Sequence, residues 1–140
     1  MASNLQKSTR NINIENPHTG PKVASVALPG GIWLEYSGGF LQTLTPNTGV
    51  IAGLNLWPIA ATDTDFASTK LITYDGVDDV VDRWLMPVSA GSASSANIGN
   101  VFDIFSDSYG LDITGGAGTQ FEVTKVISAT LVEVKAILTK

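Results

Sequence analysis

Residues 101–136 read VFDIFSDSYG LDITGGAGTQ FEVTKVISAT LVEVKA, and the reading of this stretch decides the fold. Phe102 and Ile104 alternate with Asp103. Phe121, Val123 and Ile127 fall to one side of the next segment. Val132, Val134, Ala136 and Leu138 line one side of the last, with Glu133 and Lys135 opposite. Successive side chains of an extended chain point to opposite faces, so a period of two marks a half-buried strand. Residues 111–114 read as a further short strand, and Gly115-Gly116-Ala117-Gly118 as a flexible hairpin.

Moving towards the N-terminus, residues 89–97 (SAGSASSAN) form a small, polar surface loop. Residues 77–85 admit two readings. Val77, Val81, Trp84 and Val88 have helical spacing, with Asp75 and Asp78 at its start. Pro87 forbids a long helix, and residues 83–88 read equally well as a strand. Residues 71–74 are a strand ending at Asp75-Gly76, and residues 60–68 a loop. Residues 50–56 are an apolar run interrupted by Gly53, the mark of a bulge. Thr45-Pro46-Asn47-Thr48-Gly49 is a turn. Ile32, Leu34 and Tyr36 share one face of a strand and Trp33 and Glu35 the other, with Ser37-Gly38-Gly39 turning the chain back into residues 40–44. Residues 22–28 also alternate. The expected fold is therefore all-β, a small barrel or sandwich of roughly eight short strands with at most one short helix near 77–85.

Residues 1–21 differ. They are rich in Asn, Ser, Thr and Lys and broken by Asn16-Pro17 and Gly20-Pro21; Ile12 and Ile14 alone alternate. Such a segment buries too little to order itself. The expectation is an extended N-terminal arm, 1–21, before a β-rich body, 22–140.

With 140 residues the chain is one domain in size, and 44% hydrophobic residues exclude disorder of the whole. Only 15% are charged, against roughly 25% in an average soluble domain, which suits a protein packed in an assembly. The net charge of −5 is uneven: nine Asp lie in residues 63–112 against Lys70 and Arg83. No basic face is visible, so no nucleic-acid partner is expected. No apolar run approaches the ~20 residues of a membrane helix, and no signal peptide or membrane partner is expected.

The chain contains no Cys and one His, so thiolate chemistry is excluded and a zinc site is not expected. His18 reads as a solvated or interface residue. Asp75, Asp78, Asp79 and Asp82 cluster and Asp63 and Asp65 form a D-x-D, but neither has the pattern of a calcium loop. The nine Asp are the acid–base inventory a small glycosidase-like enzyme would draw on, with Asp75, Asp79 and Asp103 the ones whose substitution would test it. There is no G-x-S-x-G and no phosphate loop. The expectation is no enzyme, no cofactor and no metal. Trp33, Trp57 and Trp84 read as core or subunit-interface residues; exposed, they would serve a carbohydrate- or receptor-binding module of a virion fibre.

The order of features carries a resemblance. A polar leader, a strand, a glycine hairpin and a Pro/Gly turn precede Ile51-Ala52-Gly53-Leu54. The chain then ends on V-F-D-I-F, Y-G-L-D-I, F-E-V-T-K-V and L-V-E-V between Val101 and Val134. Over most of residues 22–140 this is similar to the small head decoration (cement) proteins of tailed bacteriophages. The resemblance implies a structural virion protein on the outer surface of the capsid, often a homotrimer, with an N-terminal arm on neighbouring major capsid protein subunits. An oligomer formed only on the lattice is the other arrangement expected. On that reading Ile12 and Ile14 add a strand to the capsid protein while Lys7 and Arg10 meet its carboxylates, and Leu5 and Pro17 complete the contact. The family brings no catalytic residues. Another structural virion subunit is the alternative.

Overall fold

In a computed structural model the chain is almost wholly β, and the structure describes residues 6–7, 17–77, 83–115 and 118–137. The strands are β1 (Gln6–Lys7), β2 (Pro17–Pro21), β3 (Trp33–Ser37), β4 (Phe40–Thr43), β5 (Ile51–Asn55), β6 (Leu71–Gly76), β7 (Trp84–Ala90), β8 (Val101–Ile104), β9 (Leu111–Asp112), β10 (Phe121–Ser128) and β11 (Leu131–Ala136). The helical element among the described residues is a single 3₁₀ turn, Ser95–Asn97. Of the segment 77–85, residues 78–82 lie outside the described residues, and the strand reading holds from Trp84 onward.

The strands form two sheets. One runs β1-β7-β11-β10-β8-β9 and closes into a barrel because the far half of β7 pairs in parallel with β9, Val88 against Leu111. The other is antiparallel, in the order β2-β6-β5-β3-β4. Its outer strands approach each other through a bridge between Lys22 and Leu41, sealed by the Val23 amide on the Leu41 carbonyl at 2.9 Å.

Local chemistry explains these elements. Gly38 and Gly39 adopt φ of 61° and 89°, the left-handed pair a two-residue hairpin needs, so that Ser37 faces Phe40. At Gly53 the register with β3 slips by one residue, and a Cβ there would run into the Asp75 carbonyl oxygen. In β11 the alternation is met: Val132, Val134 and Ala136 are buried, with Glu133 and Lys135 half-buried. Leu138 lies outside the described residues.

In β10 the expected face does not persist. Register shifts after Val123 and after Val126 each insert a residue, and each reverses the inward parity. Phe121 and Val123 are buried but Ile127 is exposed. The two bulges supply the bend that a barrel of such short strands requires. Residues 22–28, expected as a strand, instead run as a covering segment with a turn at Ala24-Ser25, held by one isolated bridge at each end, Lys22 to Leu41 and Leu28 to Ile59. Small side chains at Ala24, Ser25 and Ala27 carry too little apolar area to hold a strand onto the sheet.

The expected boundary at 21/22 is not a structural boundary. Pro17–Pro21 pairs along its length with β6, from Pro17 against Asp75 to Pro21 against Leu71. Gln6 and Lys7 pair with Leu85 and Trp84 of β7. Both stretches of the expected arm that the structure describes are thus strands of the body's own sheets.

Two apolar cores meet at β3. Leu34 packs with Leu28, Ile32, Leu41, Ile59, Ile72 and Tyr74 inside the second sheet. Trp33, its neighbour on the opposite face, joins the barrel cluster of Trp84, Met86, Phe102, Ile104, Phe121 and Val132. The Trp33 ring stands edge-on to Trp84 at 5.2 Å and to Phe121 at 5.1 Å between centroids. Gln120, 1% exposed, ties the units a second time. Its Oε1 accepts from the Ile104 amide at 3.0 Å, and its Nε2 donates to the carbonyls of Thr45 and Gly49 at 2.7 and 2.9 Å.

Candidate functional site

The carboxylates show first what the chain does with its polar groups. Asp107 accepts from Ser89 Oγ at 2.8 Å and from the amides of Tyr109 and Gly110 at 2.9 and 3.1 Å. Asp112 accepts from the Thr114 amide and hydroxyl at 2.9 and 2.6 Å. Asp103 accepts from the Thr119 amide at 2.8 Å. Glu35, on the same face of β3 as Trp33, is buried because that face packs towards the barrel. It accepts from Gln42 Nε2 at 2.7 Å, the Thr45 amide at 2.8 Å and the Thr45 hydroxyl at 3.0 Å. These are turn-locking bonds that pair otherwise unsatisfied amides with a nearby acceptor.

Of the acid–base candidates Asp75, Asp79 and Asp103, the two described, Asp75 and Asp103, stand on different sheets. Asp75 is buried on β6 of the second sheet, Asp103 stands on β8 of the barrel, and Asp78, Asp79 and Asp82 lie outside the described residues. Among the described residues no group of three His, Asp or Glu is placed to hold a metal ion. No helix among them is long and apolar enough to cross a membrane. His18 belongs to the second sheet. It is half-buried on β2, its ring stacked on Tyr74 at 5.6 Å and lying against Gly76.

Of the arm residues, Pro17 stands in β2 against Asp75 and Lys7 in β1 against Trp84. Leu5, Arg10, Ile12 and Ile14 lie outside the described residues. The three tryptophans separate sharply. Trp33 and Trp84 are core residues, 0% and 1% exposed, so neither can meet a partner; Trp57 is 49% exposed.

Trp57 marks the one place where aromatic surface, charge and a cleft converge among the described residues. Its backbone amide donates to Asn55 Oδ1 at 3.1 Å, and Asn55 is itself buried with Nδ2 on the carbonyls of Leu28 and Pro29 at 3.0 and 2.9 Å. Two residues later Ile59 exchanges both backbone bonds with Leu28. The indole therefore rises from a fixed backbone. Lys70 sits over it, Nζ 5.0 Å from the ring centroid, and also pairs with Asp65. That hydrogen bond and charge hold the exposed Asp65 carboxyl below its ordinary pKa.

Between them the chain runs in successive turns. Asp63 Oδ2 accepts from the Ala60 amide at 2.9 Å, the Phe66 amide donates to the Asp63 carbonyl at 3.1 Å, and the Ser68 amide to the Asp65 carbonyl at 3.0 Å. Beneath lies Lys22, 0% exposed, which donates from Nζ to the carbonyls of Phe66 and Ser68 at 2.8 and 2.6 Å. This buried ammonium bolts the loop to the second sheet. Trp57, Pro58, Thr62, Asp63, Thr64, Asp65 and Lys70 enclose an open cleft of about 530 Å³. A more apolar recess of about 560 Å³ adjoins it through Pro58 and Asp63.

No signal in the sequence ties Lys22 to the 60–70 loop or Trp57 to Lys70. The partners of Lys22 lie more than forty residues along the chain, at Phe66 and Ser68, so no spacing in the sequence announces them. No protein-family model matches the chain, and no curated protein is similar to it.

Proposed function

We propose that the chain is a capsid decoration protein, a structural subunit on the outer surface of a phage head that stabilises contacts between major capsid protein subunits. The reading rests on the family resemblance of the sequence. The observation that supports it best is the distribution of exposed apolar side chains. Apart from Trp57 of the cleft, the exposed Val26, Tyr36, Phe40, Val50, Leu56 and Leu71 lie on the second sheet and its loops, with Ile98 and Ile127 on the barrel. Water-exposed apolar groups gathered on one half of a rigid body suit burial against another protein. Binding to the assembled shell alone stabilises that shell by mass action. The capsid contact is accordingly assigned to the second sheet, with the barrel as its outer mass. Copies meet as a trimer or as an oligomer formed on the lattice.

The test is co-sedimentation of the purified protein with mature, undecorated heads of its source phage. Stoichiometric binding that raises the temperature at which the heads rupture is expected. Leu71→Glu, at a 65% exposed position, should weaken binding about tenfold or more while leaving the circular dichroism unchanged. Heads that sediment without the protein, or binding indifferent to Leu71→Glu, overturn the assignment.

A further inference from the structure

The cleft beside Trp57 has the makings of a ligand site that a capsid contact does not require. We infer that it binds a neutral saccharide, the indole of Trp57 serving as a platform for a sugar ring and Asp63, Thr62 and Thr64 as hydrogen-bonding partners of its hydroxyls. Three observations carry this. The volume of about 530 Å³ lies within the range of small-molecule sites. The indole is half-exposed yet held, by the Lys70 ammonium over the ring and by the Asn55-anchored backbone below. A flat apolar face of this kind suits the C–H face of a pyranose, which has few polar atoms to desolvate. The loop opposite is pre-formed by its own turns and by buried Lys22, so little ordering entropy is lost on binding.

Charge decides the class of sugar. Asp65 is neutralised by Lys70, which leaves Asp63 as the uncompensated charge of the cleft. A carboxylate accepts well from sugar hydroxyls and repels sialic acids, sulfates and phosphates. The adjoining recess, walled by Pro29, Pro58 and Ile59, extends the surface beyond one ring, so a disaccharide or longer chain binds better than a monosaccharide.

The test is a glycan array carrying neutral, sialylated and sulfated oligosaccharides, developed with the labelled full-length protein. Neutral oligosaccharides should bind, and their binding should fall about tenfold or more in Trp57→Ala and in Asp63→Asn. Both variants should keep the near-ultraviolet dichroism of the buried Trp33–Trp84 pair, which reports that the fold is intact. Trp57→Tyr, which keeps an aromatic face, should retain part of the binding. Absence of neutral-glycan binding, binding unaffected by Trp57→Ala, or binding confined to the sialylated and sulfated glycans overturns the inference. The site does not depend on the capsid reading: an array result without head binding leaves it standing, and the converse leaves the capsid assignment standing.

Discussion

In the barrel, Trp84, Met86, Phe102, Ile104, Phe121 and Val132 exclude water from one another, whereas residues 56–70 are held by Lys22, Asn55 and Asp63 acting on backbone carbonyls and amides and by the Lys70–Asp65 ion pair. Apolar packing is non-directional and grows with buried area, so it supplies the bulk of the folding free energy. Hydrogen bonds to a buried ammonium contribute little net stability but fix geometry, since leaving their partners unmet is costly. The two regions thus divide the work: the packed core supplies stability, and the 56–70 loop holds a shaped surface.

Trp33 tests the first region most severely, because it joins the second sheet to the barrel cluster. Trp33→Ala should cost about 3–5 kcal/mol, a large share of the roughly 5–15 kcal/mol by which a domain is stable. It should also split urea unfolding into two transitions if the sheets are held together through this residue. Trp57→Ala, at the exposed cleft, should change the unfolding free energy by less than about 0.5 kcal/mol. Equal losses from the two substitutions would erase the contrast.

Lys22→Met is the intermediate case. Met fills much of the aliphatic volume but leaves the Phe66 and Ser68 carbonyls without their donor, at a cost of about 1–3 kcal/mol. The effect should be local. Amide exchange at Phe66 and Ser68, whose protons bond to Asp63 and Asp65, should quicken about tenfold or more, while Phe121 and Val132 in the barrel keep their protection. Uniform acceleration through both sheets would show instead that the bolt belongs to the global fold.

The same division explains what was legible in the sequence. Gly38-Gly39, the Gly53 bulge and the Val132–Val134–Ala136 alternation are local signals with local causes, and each appears where the period of two and the turn chemistry place it. Periodicity does not say whether one face of a strand is covered or both. Trp33 and Glu35 therefore read only as the face of β3 opposite Ile32, Leu34 and Tyr36, with no sign in the alternation that this face too is buried towards the barrel. The bulges in β10 carry no glycine and exposed Ile127 against the alternation. A polar leader has no apolar period to reveal that Pro17–Pro21 is an outer strand of the sheet, because its partners on β6 supply the backbone bonds. The cleft was least legible, since Trp57 and Lys70 become neighbours only through the closure of the 60–70 loop by a lysine far earlier in the chain.

The finest distinction between the two regions is one of pH. Lys70 holds the Asp65 carboxyl below its ordinary value of 3.8, so the ion pair is fully present above that value and is lost as pH falls through the lowered folded-state pKa. The group is exposed, and its pair is of the kind that contributes little to overall stability. What acid removes is the tether that keeps Lys70 over the Trp57 ring. Lowering the pH from 6 until this carboxylate protonates, below 3.8, should therefore shift Trp57 fluorescence, read as the difference between wild type and Trp57→Phe, before the thermal midpoint of the barrel responds to this pair. Asp65→Asn, which removes the titrating group, should show the acid-form emission at pH 6 and no such shift below it. If Asp65→Asn titrates like the wild type, Lys70 is positioned by something other than this carboxylate, and the cleft's dependence on polar anchoring is correspondingly weaker.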